Sequence, residues 1–165
     1  DNNGTPSVPN MELASKSVCA MTFKIGQGTA EDEDFYNYMQ EAKRWGLYRG
    51  GYWFYDNRIS PKVQARKCAE IWKLSPGELP IWVDWERDYP TAAASSLDDI
   101  YNFIVTIQAE LPNVKVGIYT GYYFWSGKIT GASPSTLNWF KQFPLWLAWY
   151  THDLNLSHLV KIPKP

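Results

Sequence analysis

Apolar and polar positions along this chain switch repeatedly between a period of two and a period near 3.6, and the switches mark its elements. Residues 1–10 (DNNGTPSVPN) have no apolar period, only turn-forming Asn, Gly, Pro and Ser. A short helix is expected at about 10–17. Residues 20–25 form a short apolar run that stops at Gly26-Gln27-Gly28, a strand followed by a loop. Residues 33–46 place Phe35, Met39, Ala42 and Trp45 at helical spacing, and Gly46 follows as a stop. Residues 51–55 are strand-like again. Pro61 opens a helix with the stripe Ala65, Cys68, Ala69 and Trp72, which Ser75-Pro76-Gly77 ends.

The second half keeps this rhythm. Residues 80–83 are an apolar strand leading into Asp84-Trp85-Glu86. Ser95 or Ser96 can cap a long helix carrying Leu97, Ile100, Ile104, Ile107 and Leu111, closed by Pro112. Residues 114–120 and 145–150 read as strands, separated by a loop and a short helix near 134–142. Five strand signals interleaved with four helical ones predict βα units on a parallel sheet, hence one α/β domain over residues 1–165. A doubly wound sheet and a barrel would both show this alternation. No GxGxxG or GxxxxGK[ST] is present, so the phosphate-cradling loops of nucleotide folds are missing. Lys24, the run Tyr52, Trp53, Phe54 and Tyr55, then Asp84 to Glu86, Tyr119 and Tyr150 gather at strand carboxyl ends. In parallel barrels that rim carries the active site.

Composition narrows the partners. The 165 residues carry a net charge of −1, against a nucleic-acid partner, which would call for a basic surplus. No run of 18 or more apolar residues appears, so no membrane-spanning helix is expected. Nine Trp, eleven Tyr and seven Phe make the chain 16% aromatic, against disorder and in favour of a bulky core, a stacking cleft, or both. Cys19 and Cys68 sit in no CxxC and are read either as one bridge or as two free thiols. There is no initiator Met and no signal-peptide pattern, and both ends read as cut.

Asp84 and Glu86 carry the candidate chemistry. Positions i and i+2 of a strand point to one face, so both carboxylates would share one space. Two acids in a partly apolar cleft cannot both ionise freely: one keeps its charge while the other is pushed up by desolvation and by its neighbour. Glycosidic cleavage needs that division, a proton donor to the leaving oxygen and an anion beside the developing positive charge. Trp85, with Trp82 and Trp53, could lower the local dielectric and supply stacking faces. Spacing alone leaves other readings open: a solvated pair, a pair neutralised by Arg87, or two ligands of a divalent metal. His152 and His158 have no HxH or HExxH companion and read as surface residues, so no metal site is expected. No G-x-S-x-G elbow and no Cys–His arrangement supports nucleophilic hydrolysis. The acidic run at 31–34 reads as a solvated helix start rather than a calcium site.

Six ordered segments resemble one known family: F-K-I-G-Q-G-T at 23–29, D-E-D-F-Y-N at 32–37 with A-K-R-W-G-L at 42–47, G-G-Y-W-F-Y at 50–55, L-P-I-W-V-D-W-E at 79–86, V-G-I-Y-T at 116–120 and P-L-W-L-A-W-Y at 144–150. Together, over roughly residues 20–150, they are similar to the glycoside hydrolase family 25 lysozymes, the Chalaropsis-type muramidases. The resemblance implies a single TIM-like (β/α)5β3 barrel, incomplete here at its first and last strands, because no strand precedes Asp1 and no W-Q-Y strand or late aspartate follows. It implies cleavage of the β-1,4 bond between N-acetylmuramic acid and N-acetylglucosamine, with no cofactor. Glu86 would be the general acid, Asp84 the assisting carboxylate, and Asp1 the first-strand aspartate of the family. Tyr52, Tyr119, Trp146 and Tyr150 match groove positions, and Phe54 and Trp85 are further substrate-binding candidates. The partner would be peptidoglycan glycan strands, met at the bacterial cell wall by a secreted or phage-associated enzyme such as an endolysin. Asp153 is a poor substitute for the late aspartate. The alternative is a non-catalytic glycan-binding or structural module of a larger assembly.

Overall fold

A computed structural model describes residues 10–150 of the chain. The short helix α1 (Met11–Ser15) starts where the Asn10 side chain accepts the Leu13 N–H at 2.9 Å. Then follow β1 (Ala20–Gln27), β2 (Ala30–Glu31), α2 (Phe35–Arg44), β3 (Tyr48–Phe54), α3 (Pro61–Leu74), β4 (Ile81–Asp84), α4 (Leu97–Glu110), β5 (Val116–Gly121), α5 (Tyr122–Ile129), α6 (Pro134–Phe140) and β6 (Leu145–Ala148). Of the two serines that could cap α4, Ser96 does so, in a reciprocal box with Asp99.

Two elements escape the periodicity. β1 runs on through Gly26 and Gln27 and folds back antiparallel as β2, pairing Gly26 with Glu31 and Gln27 with Ala30. Gly28, at φ +61°, supplies the left-handed residue of that turn. The second is α5, whose sequence YYFWSGKI holds four consecutive aromatic residues and has strand-like propensity. It is helical because its Phe124 and Trp125 pack edge-on against Trp85, so tertiary contact overrides local preference.

The sheet order is β2-β1-β3-β4-β5-β6, parallel throughout except for β2. Among the described residues the sheet stays open, with β2 and β6 at its edges. The α/β layering is therefore as expected, while these strands do not close the expected barrel. Helices α2 and α3 pack on β1, α4 and α5 on β5, and α3 on α4. Between them lies the core: Ile25, Trp53, Val83, Trp85 and Ile118 from the strand side meet Phe35, Met39, Trp72, Ile100, Phe103, Ile104 and Ile107. Each such side chain contributes roughly 1.5–3 kcal/mol by leaving water. Both cysteines are free thiols, Cys19 exposed and Cys68 buried in α3.

Candidate active site

Strand register sets the other face of the sheet. Tyr52 of β3 lies beside Trp82 of β4, which lies beside Gly117 of β5. One step along, Phe54 pairs with Asp84, Asp84 with Tyr119, and Tyr119 with Trp146 of β6. By alternation these positions point away from the helices. Thr22, Tyr52, Trp82, Asp84, Glu86, Tyr119 and Trp146 line a groove of about 280 Å³ there. Gly117 makes room for it, since a Cβ at that position would lie 2.5 Å from the Trp82 ring. Trp146 stands edge-on to Trp82 at 5.5 Å and to Tyr119 at 5.4 Å, and is half exposed.

Glu86 lies two residues beyond Asp84, the last residue of β4, yet both acids reach this groove. The reason is the residue between them. The Trp85 N–H donates to the Tyr119 carbonyl at 2.9 Å, carrying the ladder past the strand end. Its indole is 0% exposed, donates to Ser95 Oγ at 2.7 Å and packs edge-on against Phe124 and Trp125. Ser95 in turn donates to Asp88, which also holds the Lys128 ammonium at 2.5 Å. With Trp85 pinned on the helix side, its two neighbours are turned to the groove.

The two acids sit in different environments. Asp84 is 8% exposed, and its Oδ1 has no hydrogen-bond partner among the described residues. Burial, and then the negative charge of Glu86, push its carboxyl up to about 7, against a smaller opposing pull from Lys24. Glu86 is exposed at the groove mouth. Burial, then Glu86 and Tyr150, push the Tyr119 phenol up to about 12, while burial and Asp84 raise that of Tyr52. Both phenols therefore remain hydrogen-bond donors at neutral pH.

Several sequence expectations are corrected. Trp85 offers no stacking face to a ligand, because it is wholly enclosed, and Trp53 is enclosed likewise. Phe54 does not line the groove; its ring lies beneath Lys24 at 5.9 Å and Arg87 at 5.2 Å. Arg87 neutralises neither acid and forms no ion pair among the described residues. Tyr150 is 86% exposed and does not line the groove. Asp1, His152, Asp153 and His158 lie outside the described residues. Thr22 lines the groove unanticipated; its signal was its position two residues before Lys24 on the same strand.

The sequence profile of glycosyl hydrolases family 25 matches residues 7–158. A muramidase from Trichobolus zukalii is 27% identical, with a TM-score of 0.70, over 94% of this chain and 75% of that one. A family GH25 lysozyme from Aspergillus fumigatus is 25% identical, with a TM-score of 0.68, over 87% of this chain and 72% of that one. The YegX protein of Escherichia coli (strain K12) is 24% identical over 119 residues, 72% of this chain. The match takes in 41% of YegX, so this chain spans about two fifths of that curated relative.

Proposed function

The chain belongs to glycosyl hydrolases family 25, and we propose that it is a muramidase cleaving the β-1,4 bond between N-acetylmuramic acid and N-acetylglucosamine in peptidoglycan. The observation that carries this reading is one groove holding a buried carboxyl and an exposed one between the rings of Tyr52, Trp82, Tyr119 and Trp146. Solved relatives described as a muramidase and a lysozyme support it. The place of action would be the bacterial wall.

Glu86 is the general acid in this mechanism and Asp84 the assisting carboxylate. The pair holds a single proton near neutrality, because the second charge is opposed by the first. In the empty groove that proton rests on Asp84, the acid with less water around it. A saccharide lying across the mouth excludes water from the groove that both acids share. The unpartnered Oδ1 of Asp84 then accepts the N–H of the sugar's acetamido group, a bond that favours the charged carboxylate. The proton thus settles on Glu86, beside the leaving glycosidic oxygen. Charged Asp84 steadies the positive charge as the acetamido oxygen attacks the anomeric carbon.

The test is reducing-sugar release from purified peptidoglycan. Glu86→Gln should lower the rate about 100- to 10,000-fold while circular dichroism stays unchanged. Undiminished release by that variant would refute the assignment. Saturable glycan binding by the wild-type chain without turnover would favour the non-catalytic module instead.

A further inference from the structure

Arg87 is held in place without a charge partner. The residue follows Glu86, and its guanidinium lies over Phe54 at 5.2 Å and over Tyr89 at 4.6 Å. Its Nη2 donates to the Tyr89 hydroxyl at 2.6 Å. Tyr89 is itself immobilised. Its N–H donates to Asn57 Oδ1 at 2.7 Å, and Asn57 Nδ2 donates back to its carbonyl at 3.1 Å. Gln27 Nε2 donates to its hydroxyl at 2.7 Å, and the Arg58 guanidinium lies 3.9 Å from its ring.

The two arginines differ in one respect. Arg58 is neutralised by the bidentate grip of Asp56, whereas Arg87 meets no carboxylate among the described residues. The Tyr89 oxygen receives two N–H donors, and its own proton has no acceptor there. Next to Glu86 in the chain the fold therefore presents a guanidinium whose remaining N–H groups, beyond its bond to Tyr89, meet no carboxylate, and a phenolic O–H without an acceptor among the described residues. A stacked guanidinium keeps its in-plane N–H groups free, the geometry that suits a carboxylate. An exposed arginine with no such task would gain little from being fixed, since ordering it costs side-chain entropy.

Resting on the muramidase reading, we propose that Arg87, assisted by Tyr89, binds a carboxylate of the glycan strand, on the lactyl group or its peptide stem. The chain would thereby select strands whose carboxylates are free over strands in which they are amidated.

The experiment compares peptidoglycan strands with free carboxylates against the same strands converted to carboxamides by carbodiimide and ammonia. For the wild-type chain, kcat/KM should be about tenfold higher on the free form, a charge-assisted bond's worth. In Arg87→Gln that ratio should fall toward one. The ratio cancels any loss of folded protein, so a poorly folding variant still reports. A wild-type ratio of one, or an unchanged ratio in the variant, overturns the proposal. If the wild-type chain cleaves neither form, the hydrolase reading fails by itself; calorimetric binding of the two strands, wild type against Arg87→Gln, then decides on Arg87 by the same ratio.

Discussion

The two faces of β4 carry similar residues and behave oppositely. Val83 and Trp85 point to the helices and are 0% exposed, and the polar atom of Trp85 is matched by Ser95. Trp82 and Asp84 point the other way, into a groove, and Asp84 Oδ1 is unmatched. A tryptophan with a protein partner for its N–H and rings on its edges is a structural part. A carboxyl that is desolvated yet unpaired costs stability, and a fold retains it where a ligand or a reaction will use it. What separates the faces is the completeness of their hydrogen bonding, since both are aromatic.

Substitutions on the two sides should therefore separate stability from activity. The largest effect is expected from Trp85→Ala, which empties a filled site and strands Ser95. Urea denaturation should show a loss of about 3–5 kcal/mol. Asp84→Asn should do the reverse. The folded chain holds the Asp84 proton up to about 7, above the ordinary carboxyl value of 3.8, so it binds more protons than the unfolded chain between those limits. Stability then declines as pH rises through that window, and the penalty is complete above it. At pH 8 the Asn variant should be more stable by roughly 2–4 kcal/mol, with the gain vanishing near pH 3, while sugar release is lost. Trp146→Ala, on the groove side, is the smallest: an unfolding midpoint near that of the wild type and a KM raised by a factor of about 5 to 10. Equal destabilisation by Trp146→Ala and Trp85→Ala would erase the distinction between the faces.

Local pattern carried most of the framework. The helical stripes of α2, α3 and α4 lie where the 3.6-residue period puts them, because each must bury one face against the sheet. The β1–β2 hairpin was hidden in Gly26-Gln27-Gly28, three residues that also fit a plain loop. Helix α5 was hidden by its aromatic run, whose preference reverses only on meeting Trp85. At the site, the spacing of Asp84 and Glu86 was legible, and so was the aromatic rim. The sorting of Trp82 to the groove and Trp85 to the core follows from period two once the acids are placed, whereas residue type alone offers both as stacking faces.

Sequence alone determined the order of strands and helices apart from β2 and α5, the αβ layering, the two acids two residues apart and the motifs that place the chain in its family. Those depend on periodicity and residue type, which are local. Only the tertiary structure decided that Asp84 rather than Glu86 is the buried acid, that Arg87 rests on Phe54 and Tyr89, and that Thr22 lines the groove while Phe54 does not. Desolvation and ring stacking depend on which distant segments arrive at the same place, and that is set by strand register and helix packing across the whole sheet.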